Sequence, residues 1–70
     1  LSKIAVKLET ETIKLDQFLK WAEVVSSGGE AKHLIKEGEV KVNGEISTQR
    51  GKAIKKGDTI AVGEYEYLVQ

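Results

Sequence analysis

The sequence predicts an α+β fold, two short helices packed on a small, mostly antiparallel sheet whose N- and C-terminal strands pair. Three observations lead there. Ser27 followed by Glu30 reads as a capping box ahead of an apolar face made by Ala31, Leu34 and Ile35. Leu15, Phe18, Leu19 and Ala22 recur at helical spacing. Apolar and polar residues alternate near both termini and around Val40 and Val42, as in half-buried strands.

In chain order, Ile4, Val6 and Leu8 alternate with Ala5 and Lys7, which predicts a first strand over residues 4–8. Thr10, Glu11 and Thr12 make a polar link. The stripe beginning at Leu15 predicts a helix reaching Val24, with Asp16 and Gln17 near its positive end. Trp21 lies at the margin of that stripe and is expected to cover the edge of the core; the competing reading is a stacking surface for an unpaired base. Val24, Val25 and Ser26 turn the chain into the second helix, which Ser27 opens and Gly38 closes after roughly two to three turns.

Asn43-Gly44 then signals a hairpin. A two-residue loop would align Val42 with Glu45 and Lys41 with Ile46, mixing apolar and charged residues on one face. A three-residue loop with Gly44 left-handed pairs Lys41 with Glu45 and Val40 with Ile46, and is the expected register. Arg50, Lys52, Lys55 and Lys56 form a basic loop interrupted by Ala53 and Ile54. Lys56-Gly57-Asp58 turns into a strand over residues 59–62, Gly63-Glu64 turns again, and Tyr65, Tyr67 and Val69 mark a closing strand that pairs with the first.

Seventy residues allow one domain, 1–70, whose core must pack tightly because no cysteine is present to staple it. The lack of cysteine also excludes thiolate metal sites and a cysteine nucleophile, and suits a reducing cytosol. No segment is apolar enough to cross a membrane and the start lacks a signal-peptide pattern, so a cytoplasmic protein is expected. The chain opens at Leu1 and contains no methionine, so its natural start is expected further upstream.

Eleven basic and eleven acidic residues give a net charge of zero, which argues against a generic polycation. The distribution is uneven. Residues 14–58 carry nine basic and seven acidic side chains, a balance of +2, whereas residues 59–70 carry only Glu64 and Glu66, a balance of −2. Lys32 and Lys36, spaced i, i+4, can project from one side of the second helix, and the Gly28-Gly29 pair leaves its first-turn amides uncovered, so that a phosphate can be held there. Taken alone, such residues are more often a solvated face of a small core.

Taken in order, Leu15-Asp16-x-x-Leu19, Ser27-x-x-Glu30-Ala31-Lys32-x-Leu34-Ile35-x-x-Gly38-x-Val40-x-Val42-Asn43-Gly44 and Gly57-Asp58-x-Ile60 resemble the S4 RNA-binding domain over residues 13–62. The Ser-Gly-Gly-Glu-Ala-Lys version resembles the small stand-alone bacterial S4 proteins of the YaaA and YbcJ type. The resemblance implies an S4-type, or alpha-L, fold and a surface of two helices and the adjoining loop that grips the sugar-phosphate backbone of structured RNA. It implies basic contacts at Lys14, Lys32, His33 and Lys36, with Ser27 at the start of the second helix. Lys41, Arg50 and Lys52 are added from charge and place, and the amides of Gly28 and Gly29 as phosphate donors. Gly28 departs from the arginine that many S4 domains carry there. Because histidine gains charge on acidification, RNA binding is expected to strengthen from about pH 8 to about pH 6.

Catalysis is not expected. His33 is the only histidine, with no second histidine or cysteine to complete a metal site and no oriented nucleophile beside it. The Gly-Gly pair completes neither a dinucleotide fingerprint nor a phosphate-binding loop. Elimination leaves binding, and the S4 resemblance implies a non-catalytic, cofactor-free RNA-binding module, expected to be monomeric and to act on ribosomal RNA in ribosome assembly or quality control. A protein-interaction adaptor on the same scaffold, and a targeting domain cut from a larger RNA-modifying enzyme, are the alternatives.

Overall fold

Alternating and helical apolar patterns resolve into nine elements in the computed structural model, which describes residues 2–70. They are β1 (Ser2–Val6), β2 (Thr12–Lys14), α1 (Leu15–Trp21), α2 (Gly28–Lys36), β3 (Val40–Val42), β4 (Glu45–Ile46), β5 (Ala53–Lys55), β6 (Thr59–Val62) and β7 (Tyr65–Val69). Five strands form one sheet in the order β1-β7-β6-β3-β4, and β2 pairs with β5 in a separate ribbon. The large sheet is antiparallel except where β1 joins β7.

The terminal strands do pair, with Ile4 beside Tyr67 and Val6 beside Val69. The first strand ends at Val6, short of the expected Leu8. Leu8 instead donates its N–H to the Gln70 carbonyl at 2.7 Å and buries its side chain, extending the pairing without regular strand geometry. The polar link is shorter than expected too. Thr12 begins β2, because Ile13 finds Ile54 opposite it across the ribbon.

Burial follows from the period of two. Val40, Val42, Ile60, Tyr67 and Val69 turn inward onto Leu15, Phe18 and Leu19 of α1 and Ala31 and Ile35 of α2. Lys41, between two buried valines, turns the other way. No helix among the described residues is long and apolar enough to cross a membrane.

Helix α1 stops at Trp21, three residues before the expected Val24. Glu23 takes up a left-handed conformation, φ 59°, and the N–H groups of Glu23 and Val24 donate to the carbonyls of Lys20 and Leu19 at 3.0 and 2.9 Å. This is a Schellman ending made without glycine, and it aims the buried Val25 into the core. Helix α2 ends the same way around Gly38, φ 75°, with Glu39 N–H on the Leu34 carbonyl at 3.1 Å. Its start keeps half of the expected box. Ser27 Oγ accepts the Glu30 N–H at 3.2 Å, but the Glu30 carboxylate accepts from Ser26 Oγ at 2.5 Å rather than from the Ser27 backbone.

The hairpin register is the two-residue one, with Lys41 opposite Ile46 and Val42 opposite Glu45, which corrects the three-residue loop expected from burial. Asn43 and Gly44 are both left-handed, at φ 52° and 86°, the type I′ geometry whose twist matches the flanking strands. Turn chemistry outweighs burial here, leaving Ile46 60% exposed. Asn43 gains a further role across the sheet. Its Oδ1 accepts the Thr59 N–H at 2.9 Å and its Nδ2 donates to Asp58 Oδ1 at 3.1 Å, clamping the hairpin to the turn before β6. Asn43→Ala removes both bonds and leaves a side chain that resists positive φ, so a loss of about 2 kcal/mol is expected. Urea unfolding measures it. Asn43→Gly should recover only the backbone part, and equal stability of all three forms would remove the clamp.

Candidate functional site

Two groups of exposed cations flank the hairpin. The first lies on α2. With Ala31 turned inward, Lys32 and Lys36 stand about 100° and 140° around the axis, Gly29 about 160° and His33 about 200°. Lys32, His33 and Lys36 are all exposed, while Glu30 and Glu37 form an acidic margin beyond them. At the start of this helix, a Cβ built on Gly28 would meet nothing within 4 Å, and one on Gly29 would meet only Ser27 Oγ at 3.9 Å. The first turn is open to an approaching anion, with its amide dipoles pointing outward.

The second group is built by backbone needs. Lys14 precedes α1 but offers its first turn no side-chain acceptor. The loop after β4 supplies acceptors instead: the Lys52 carbonyl takes the Leu15 N–H at 2.9 Å and the Arg50 carbonyl takes the Asp16 N–H at 3.1 Å. Gln17 N–H is satisfied by Asp16 Oδ1 at 2.8 Å. Since Lys14 also sits opposite Ala53 in the ribbon, the backbones of three basic residues distant in sequence meet at one helix end, beside Asp16. Nothing in the sequence signals this arrangement.

Ile46 lies between the groups. The Cβ position of Gly38, at the end of α2, is 3.7 Å from Ile46 Cγ2, and Ile46 shares a surface cleft with Ser47, Thr48, Gln49 and Lys52. Lys41 does not join them. It lies on the sheet face turned away from the helices, in a shallow depression with Glu39, Ala61 and Glu66, so the alternation that buries its valine neighbours removes it from the helix surface.

Trp21 donates its indole N–H to the Lys7 carbonyl at 3.0 Å, and its side chain, 46% exposed, borders a small surface cavity with Leu8 and Ile13. Tyr67 is sheet packing, its ring meeting Phe18 edge-on at 6.4 Å. Among the described residues, no three His, Cys, Asp or Glu side chains gather as a metal site would require.

Asp58 links the basic loop to stability. Partial burial opposes its ionisation, but the Lys55 N–H at 2.9 Å, the Asn43 amide and the charges of Lys55 and Lys52 outweigh that and hold its carboxyl below the usual carboxylate range. A folded-state value below the unfolded one contributes stability above the unfolded pKa, and this is lost as pH falls through the folded value. The urea midpoint should therefore drop between about pH 5 and about pH 3. Asp58→Asn should lower stability at neutral pH and flatten that acid limb; an unchanged limb would show that Asp58 does not carry it.

Comparison with known proteins gives a consistent family. A family model described as S4 domain matches residues 6–70. The chain is similar to the probable ribosome maturation protein RlbA of Bacillus subtilis (strain 168), 44% identical over 57 residues that make up 81% of this chain and 80% of that one. Among solved structures it is similar to the trimeric Heat Shock Protein 15 of Vibrio cholerae, with a TM-score of 0.69 and 26% identity. That match covers 80% of this chain, which spans only 58% of the Vibrio protein.

Proposed function

The chain belongs to the S4 domain family, and from that membership we propose that it is a non-catalytic RNA-binding module that grips structured RNA through its phosphates. The observation that carries this reading is the convergence of Lys14, Arg50 and Lys52 on the start of α1, across the hairpin from the exposed stripe of α2. Lys32 and Lys36, with the exposed His33 beside them, act as mobile point charges, and Arg50 offers a forked contact. Ser27 orders the first turn of α2 while the amides of Gly28 and Gly29 donate to a phosphate oxygen. Lys41 lies outside this surface.

The RNA is ribosomal and the setting is ribosome assembly or quality control in the cytoplasm, a reading supported by likeness to a protein named for ribosome maturation. Few of these side chains suit base-edge readout, so shape and backbone dominate. Filter binding to a ribosomal RNA fragment tests the proposal. Five lysine or arginine contacts should give a log–log salt slope of about −3.5 to −4.5. A flat salt response would reject it.

A further inference from the structure

Among the described residues, no helix or loop packs over the outer face of the five-stranded sheet. Strand registers set Lys3, Glu66, Ala61 and Lys41 side by side in one row across it. The next row places Ala5, Leu68 and Thr59 together. β6 is the middle strand, so Ala61 separates a carboxylate from an ammonium, each one strand spacing of about 4.8 Å away.

The Glu66, Ala61 and Lys41 part of this row is complementary to itself. A second copy turned by 180° about an axis along β6 lays Glu66 over the partner's Lys41 and Lys41 over the partner's Glu66, while the two Ala61 methyl groups meet at the axis. The Glu66–Lys41 contact occurs twice and the Ala61 contact once, on the axis, as two-fold symmetry requires. The short side chains of Ala5, Thr59 and Ala61 permit the roughly 10 Å approach of packed sheets. Leu68, 43% exposed, provides apolar surface beside them.

We propose that this face joins two copies of the chain in a dissociable dimer. Charge complementarity about a single axis selects a second copy as the occupant, since one rotation sets Glu66 against Lys41 in both directions at once. Five strands by about four residues project roughly 300 Å², well below the ~800 Å² per partner of a standard interface. Association therefore belongs at high protein concentration. The helix surface stays free on the far side of each copy, so the dimer presents two separate basic faces.

Sedimentation equilibrium on the intact chain at low salt, from about 20 μM to about 1 mM, tests this. The wild-type chain should dimerise within that range. Lys41→Glu or Glu66→Lys alone should weaken association about tenfold or more, by setting like charges against each other twice. The combined variant restores the complement and should return to within about threefold of wild type. Lys41→Gln, which only removes a charge, should act in the same direction with smaller size, and circular dichroism melting checks that each variant folds. A chain that stays monomeric at about 1 mM overturns the proposal. So do single variants that associate unchanged, as pairing through the β1 edge would give, or a combined variant that fails to recover.

Discussion

Replacing Lys32 and Lys36 together by glutamate is expected to lower affinity for structured RNA about a hundredfold at moderate salt, a change of about 3 kcal/mol. Two phosphate contacts are lost and two repulsions created. The fold should survive, because Ala31 and Ile35 carry the packing of α2 while both lysines are exposed. Glutamate and lysine have similar helix propensities, and the new charge at position 36 opposes the helix dipole by only about 0.3–1 kcal/mol. A matched control reverses Lys3 and Lys56, which changes net charge equally elsewhere on the surface. Gel-shift or filter binding should show a far smaller loss for the control; equal losses in the two variants would mean that only net charge matters and that α2 makes no contact.

Phe18→Ala should cost about 3–5 kcal/mol. Phe18 is fully buried on α1 and sets its edge against the Tyr67 ring of β7 at 81°, joining helix to sheet at the centre of the core. A domain of this size is stabilised by only about 4–10 kcal/mol in total. The variant is thus expected to be largely or partly unfolded at 25 °C and to lose RNA binding through the fold, since the Lys14, Arg50 and Lys52 cluster depends on a formed α1. Phe18→Leu should retain most of the stability. Urea titration gives the numbers, and a cost below about 1 kcal/mol would show that the core is not closed around this ring.

These two experiments separate the surface from the scaffold, and the sequence spoke unequally about them. The Ser27 cap, the apolar face of α2, the Gly38 ending and the strands around Val40, Ile60 and Tyr67 were readable because each rests on residues within a few positions of one another. The exposed α2 lysines were readable for the same reason. Where α1 ends was not, since a glutamate in left-handed conformation carries no local mark of its own. The hairpin register departs from the one burial of Ile46 would favour because the Asn43-Gly44 turn prevails, held by side-chain partners at Asp58 and Thr59 that lie fifteen and sixteen residues away.

Local chemistry written along the chain thus determined the class of fold, the helix carrying Lys32 and Lys36, and the family pattern. Tertiary structure alone decided which cations share a surface. It brought Arg50 and Lys52 to Lys14 because the first N–H groups of α1 needed acceptors, and it sent Lys41 to the opposite face because its neighbours had to be buried. Both outcomes come from satisfying backbone and apolar demands across long sequence separations, which no window of adjacent residues contains.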